Sequence, residues 1–494
     1  MGGGLLLSGA GSIVLVVAAG EGPAAYVAVH DRPVNASATN LVDIRSYSSP
    51  ALARDPRDGD VAVATRIDGP DYSCSLHVSD DGGETFEQLA VPAPPGHAAS
   101  KCYAPDVTYG DDGTLYFAFV TLEGRGNTPS GAWLSTLPDG ASALSSPRPI
   151  AGPLTFQLSI AADPRDAARL YVAWLQASVT GSFSFPETGN PIVVSSSSDG
   201  GATWSEPHRV SGPERARALA PSLALDPAGR LYVAYLDLLD DALDYGGAHA
   251  GRGGEPYPGP WQLVVARSVD GQTFEEATID DLVPIERIIV FTPPRPSIAA
   301  GPQGDVHVAF HSAPFGDPDV FVWSSYDRGR RWSAAVRVND TRTRDGSTQE
   351  LPALGVAEDG RVDVAYLDRR LDGSDVMTDV RLQSSFDGGA SFGPSLRVND
   401  VSFDHRFALG VDRGLPDQGS RLGLLSRPAG AFVAWSDARA GSLASLKRDI
   451  AIAYVALPAP GLLRRARGWL TVVAVAATVA GVVVMRSRSV AATR

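Results

Sequence analysis

Cysteine and methionine are scarce: Cys74 and Cys102 are the only cysteines among 494 residues, and there are three methionines. Two thiols are too few for a disulfide-dense scaffold and leave room either for one bridge or for two unrelated buried cysteines. Basic charge is in the minority, with 42 Lys and Arg against 56 Asp and Glu and a net charge of -14. No Lys/Arg-rich stripe crosses the body of the chain, and a phosphate-binding surface needs one, so no nucleic-acid partner is expected. Long charged runs are few, and 52 glycines with 37 prolines describe a chain of many turns, hence mostly strand. A catalytic signature is also missing, and no metal or cofactor is expected.

Long hydrophobic runs occur only at the two ends. Residues 469–485, "WLTVVAVAATVAGVVVM", carry no charge and are bracketed by Arg464, Arg465 and Arg467 before and Arg486 and Arg488 after. At about 1.5 Å per residue in a helix this run reaches the short end of what spans a bilayer. A transmembrane helix is expected there, with 458–468 as a basic juxtamembrane linker and 486–494 as a short tail. Residues 5–20 read as a secretory hydrophobic region without a basic flank, so 1–20 is expected to be a signal peptide. Together they place the body, 24–457, outside the cytoplasm, on a single-pass cell-membrane protein. "LPAPG" (457–461) is similar to a sortase signal but has Pro460 where the acylated threonine belongs, so retention by the helix is expected instead.

The body repeats itself. "PALARDPRDGDVAVAT" (50–65), "PDVTYGDDGTLYFAF" (105–119), "LSIAADPRDAARLYVAW" (158–174), "PSLALDPAGRLYVAY" (221–235), "PSIAAGPQGDVHVAF" (296–310), "PALGVAEDGRVDVAY" (352–366) and "SRLGLLSRPAGAFVAW" (420–435) each read as strand, Asp/Gly/Pro turn, strand. A third and a fourth strand follow most of them, so each unit is a four-stranded antiparallel sheet. The ends of the second strands are 54 to 75 residues apart, the period of an all-β propeller; seven blades are expected, with six as the alternative. The last unit has only three strands, and the N-terminal "RPVNAS" (32–37) mirrors "VRVNDT" (336–341), so a strand from the chain start is expected to close the ring.

Between third and fourth strands recurs an Asp-Gly string: "SDDGGETF" (79–86), "SSSSDGGATW" (195–204), "SVDGQTF" (268–274), "SSYDRGRRW" (324–332) and "SSFDGGASF" (384–392). The pattern Ser-x-Asp-x-Gly-x-Thr-Trp/Phe resembles the Asp-box, or BNR repeat, of the sialidase-like propellers. The resemblance implies that Asp81, Asp199, Asp270, Asp327 and Asp387 are structural, organising turns on the face away from any site. It also implies that function belongs to the opposite face, built by loops that enter the inner strands and loops that join second to third strands. Cys74 and Cys102 fall on that loop face in adjacent blades, which favours their pairing.

Several polar groups share the loop face. Asp368 with Arg370 and Asp437 with Arg439 repeat the form aromatic-x-Asp-x-Arg, suited to a polar ligand or to bracing each loop. Arg295, Glu350 and Gln418 precede inner strands and point toward the channel mouth. The insertion 239–261, with Tyr245 and Trp261 among its glycines, reads as a sugar-stacking lid or as a tolerated surface loop. A sialidase needs an arginine cluster, a Tyr nucleophile assisted by Glu, and an Asp acid/base. The family's first-blade Tyr/Phe-Arg-Ile-Pro motif has Ser48 in place of its arginine here, leaving Arg295 and Glu350 as the catalytic candidates. The reading adopted is a monomeric, membrane-anchored propeller that recognises a glycan or protein ligand on its loop face. A sialidase-type glycoside hydrolase and a purely structural surface protein are the alternatives.

Overall fold

The computed structural model describes residues 27–28, 31–35, 45–69, 72–97, 101–179, 187–243, 257–284, 293–414 and 416–457. The expected signal peptide (1–20), linker, membrane span and tail (458–494) and Tyr245 lie outside them. No helix among the described residues is long and apolar enough to cross a membrane.

The described residues form seven antiparallel sheets of four-stranded plan; blade 6 gains a short extra strand, Phe403–Asp404, and blade 7 takes its outer strands from the N-terminal side of the chain. Their first strands are Ser46–Arg54, Lys101–Tyr109, Thr155–Asp163, Ala218–Leu225, Ser297–Ala300, Gln349–Val356 and Gly423–Arg427, for blades 1 to 7. Each first strand touches those of the two flanking blades, and blade 7 meets blade 1, so the sheets stand radially around an axis. Where they line the axis the inner strands carry mostly small or aliphatic residues, Ala, Ser, Val, Ile and Leu, because seven of them must crowd around one channel. Second strands such as Leu231–Asp237 and Val362–Asp368 are buried along their whole length. Two residues before their ends stand large buried aromatics, Trp174, Tyr235, Phe310, Tyr366 and Trp435, that fill the wedges between blades.

Ring closure follows the expectation from "RPVNAS". Val27–Ala28 and Arg32–Pro33 pair with the last strand, Asp449–Ala456, in registers Val27 to Ala456 and Arg32 to Ile452. The mirrored asparagine explains why. In blades 5 and 6, Asn339 and Asn399 accept the amides of Val320 and Val380 at 2.9 and 2.7 Å and donate to Asp319 and Asp379. In blade 7, Asn35 accepts the Ile450 amide at 2.7 Å and donates to Asp449 at 2.9 Å. The N-terminal strand thus supplies the same lock as a true fourth strand, and no blade edge is left exposed at the joint.

First-to-second and third-to-fourth turns share one face, called here the turn face. At the Asp-Gly strings, Asp199 accepts the Thr203 hydroxyl at 2.6 Å, the Thr203 amide at 2.9 Å and the Ser197 hydroxyl at 2.8 Å. These bonds, led by that of the Thr203 side chain, hold its carboxyl down at about 2. Asp81, Asp270, Asp327 and Asp387 make the same bonds, with Arg331 offering only its amide where the others have Thr or Ser. The glycines here join blade to blade. A Cβ on Gly271, at φ +73°, would come within 2.8 Å of the Tyr171 ring of the preceding blade; one on Gly329, at φ +77°, would come within 3.0 Å of Tyr232.

Candidate functional site

The loop face gathers charge where blades 1, 6 and 7 meet. Arg66, at the end of the second strand of blade 1, is fully buried and stands opposite Ser48 in the strand register. Its Nη2 reaches Asp68 Oδ2 and Asp417 Oδ2, both at 2.6 Å. Burial pushes the Asp68 carboxyl up to about 6, against the pull of the Arg66 guanidinium, with the Asp417 charge adding to the rise.

From blade 7, Arg448 donates to Gln418 Oε1 at 2.9 Å and to the Ser436 carbonyl at 3.0 Å, its guanidinium 5.8 Å from the Phe403 ring. Burial brings its pKa down to about 10 although Asp437, Asp417 and Glu350 all favour its charge. From blade 6, Arg369 pairs with Glu350 and with Asp375 at 3.4 Å. His405 hydrogen-bonds the Val376 carbonyl at 2.9 Å; burial, reinforced by Arg369, lowers its pKa.

The cluster therefore has two levels. Arg66, Arg369 and Arg448 are buried; above them Tyr72, His405, Asp417 and Gln418 are half-buried at the surface. Gln418 also donates to the His405 carbonyl at 2.6 Å, and Asp417 accepts the Gly419 amide at 2.8 Å, so this upper layer is fixed in place. A carboxylate, an amide, an imidazole and a phenol, supplied by Tyr72 of blade 1 and by the connection from blade 6 to blade 7, offer a polar ligand both donors and acceptors.

The residues singled out from sequence are dispersed around this cluster. Glu350 and Gln418 belong to it. Arg295 lies on the axis, its backbone amide bonded to the Ser420 carbonyl at 3.0 Å and its Nη2 to the Leu158 carbonyl at 2.8 Å. Arg370 clasps its own Asp368 through Nε at 2.9 and 2.8 Å and also binds Asp340. Arg439 clasps Asp437 and reaches Asp31 of the closing strand at 2.6 Å. The same Asp-x-Arg clasp recurs at Asp404 and Arg406, and on the turn face at Asp55 and Arg57 and at Asp163 and Arg165. Trp261 is 3% exposed, its indole bonded to Asp241 at 2.9 Å. Cys74 and Cys102 form a disulfide between blades 1 and 2.

Arg66, Asp68, Arg369, His405, Asp417 and Arg448 escape a reading by motif. A signal existed only for Arg66: four of the other six second strands carry Val or Leu at this depth and the remaining two His311 and Ser436, so an arginine there marks a buried charge that needs partners. A second constellation, Ser324, His307 and Asp305, has the hydrogen-bond order of a nucleophilic triad, with both links at 2.8 Å. It lies on the turn face beneath Gly389, where a Cβ would come within 2.7 Å of the Ser324 hydroxyl, and Ser324 and His307 are buried. No substrate carbonyl has room there, so this chain of bonds orders blade 5 beneath the Asp-Gly turn of blade 6.

No protein-family model matches the chain, and no curated protein matches it. Solved structures of similar shape include a protein of unknown function from Dyadobacter fermentans, 14% identical over 87% of this chain and 98% of its own, with a TM-score of 0.46. A Hadza microbial sialidase is 14% identical over 88% of this chain and 74% of its own, TM-score 0.42. An ulvan-degrading polysaccharide lyase is 11% identical over 85% and 96%, TM-score 0.48.

Proposed function

We propose that this chain is an Asp-box propeller that binds a glycan on its loop face, at the meeting of blades 1, 6 and 7. One observation carries the reading: Asp417, Gln418, His405 and Tyr72 form a half-buried polar layer over the buried arginines 66 and 448. Sugar hydroxyls donate to Asp417 and accept from Gln418, and the Tyr72 ring offers an apolar face to a pyranose. Because the arginines below are already paired, the layer is set before ligand arrives and little ordering entropy is lost on binding. The test is a glycan array followed by calorimetry on the hits. Asp417→Asn and Gln418→Ala are each expected to weaken binding at least tenfold, and unchanged affinity in both variants would sink the proposal.

A hydrolase is the second reading, favoured by two carboxylates sharing Arg66 in unlike surroundings: Asp417, half-buried at the surface, and beneath it Asp68, buried and pushed up to about 6. Turnover of fluorogenic sialosides or other glycosides, lost in Asp68→Asn and in Glu350→Ala, would establish it. Array binding without turnover would leave the binding reading standing.

We further infer display outside the cytoplasm as a monomer, tethered by the 469–485 helix. The Cys74–Cys102 disulfide supports an oxidising compartment. Retention of the chain in alkali-washed membranes, with the propeller accessible to protease on intact cells, is the expected result.

A further inference from the structure

Five inner strands share an irregularity at the channel mouth. Ser49, Ala104, Gln157, Ala220 and Leu351, of blades 1, 2, 3, 4 and 6, have φ between 48° and 59°, and each strand shifts register there. Blades 5 and 7 pair without a shift, and the residues they place at this ring position are Arg295 and Arg421.

Both guanidiniums span the channel rather than their own blades. Arg421 Nη2 donates to the Pro105 carbonyl of blade 2 at 2.6 Å, as Arg295 Nη2 does to Leu158 of blade 3. Arg295 is 7% exposed, that carbonyl is its guanidinium's one hydrogen bond among the described residues, and no described carboxylate lies within ion-pair distance of it. Arg421 stands 3.3 Å from Asp106, whose carboxylate already accepts the amides of Val107 and Ile160 at 3.1 Å. Burial, reinforced by the Arg421 charge, brings Arg295 down to about 10. Two cations and one anion leave one positive charge uncompensated, facing a cavity of about 220 Å³ along the axis, lined by Ser159, Ser222 and Ser297 with apolar Leu and Ile. Such a charge is costly to bury unless something pairs with it.

We propose that the propeller axis holds a small monovalent inorganic anion, of the halide class, between Arg295 and Arg421. The anion completes the charge at the mouth and links blades 2, 3, 5 and 7, and its site adjoins the loop-face cluster, since Arg66 lines the same cleft as Arg295 and Arg421. It is tested on the full chain by thermal unfolding at constant ionic strength, exchanging methanesulfonate for chloride or bromide. A saturable rise in Tm of several degrees in the halides is expected, with no rise in Arg295→Met. Crystals grown in bromide should show an anomalous peak on the axis beside both guanidiniums, a readout that does not depend on the variant folding. Equal Tm in all three salts, a halide shift that persists in Arg295→Met, or an axis without anomalous density at saturating bromide would each overturn the proposal.

Discussion

Arg361 and Asp363 offer a direct test of how neighbouring blades are fastened. Both are fully buried, bonded by Nε to Oδ1 and Nη2 to Oδ2, each at 2.9 Å. Arg361 also donates to the carbonyls of Arg427, Pro428 and Gly430 at 2.7, 3.2 and 3.2 Å, which ties blade 6 to the first turn of blade 7. Ser384 donates to Asp363 at 2.6 Å. Arg361→Met leaves a buried carboxylate with one hydroxyl partner, and Asp363→Leu leaves a buried guanidinium with carbonyls only, so each should cost about 3–5 kcal/mol. The double variant removes both charges; what remains is the loss to three carbonyls, two of them in a turn that water reaches, and one hydroxyl. It should cost about 2 kcal/mol, less than either single change. Urea unfolding followed by tryptophan fluorescence measures all three. Additive losses, or single losses under about 1 kcal/mol, would refute the view that an uncompensated charge rather than the bond itself sets the cost.

Other outcomes are expected on the same footing. Cys74→Ser with Cys102→Ser opens a bridge with a sequence separation of 28 residues and should lower stability by about 3.5 kcal/mol on the chain-entropy estimate, read as a fall in the urea midpoint. Asp199→Ala should lower Tm while leaving the glycan affinity of the folded fraction unchanged; a selective loss of binding at full stability would place function on the turn face. The Asp199 carboxyl is depressed in the folded state, so its stabilisation is complete above the ordinary carboxylate pKa near 4 and is lost as pH falls toward 2. Acid unfolding of Asp199→Asn should accordingly be less steep across that window than that of the parent. Asn35→Ala removes the acceptor for the Ile450 amide, at a cost of about 1–3 kcal/mol, and should accelerate hydrogen exchange in Asp449–Ala456 before other strands.

The architecture was legible because every blade restates it. A hairpin written seven times fixes strand order and count, and the "RPVN" of the closing strand could be recognised because Asn339 and Asn399 occupy the same place in complete blades. The Asp-Gly turns were legible for the same reason. The loop-face cluster was not, because it is the part that does not repeat. Arg66 meets Asp417 across 351 residues, and that meeting exists only once the ring has closed. The Asp-x-Arg pairs at 368 and 437 were visible as pairs, yet their outer partners, Asp340 and Asp31, come from different strands that no local spacing predicts. The place of Arg295 at the channel mouth was legible, but that of Arg421 was not, and the backbone irregularity that their two inner strands omit and five others carry is invisible in residue type.

The joint between Val27–Pro33 and Asp449–Ala456 also orders events in time. Val27–Pro33 precedes every blade in the chain and has its partner near residue 456, so the nascent chain carries this segment unpaired through the synthesis of all seven blades. Until blade 7 arrives, blade 1 has one uncovered flank, and neither Asp417 nor Arg448 is in place to meet Arg66 and Gln418. A chain truncated in blade 7 would thus lose its edge protection and its loop-face cluster together, which makes completion of the ring a checkpoint for both solubility and the assembly of that cluster.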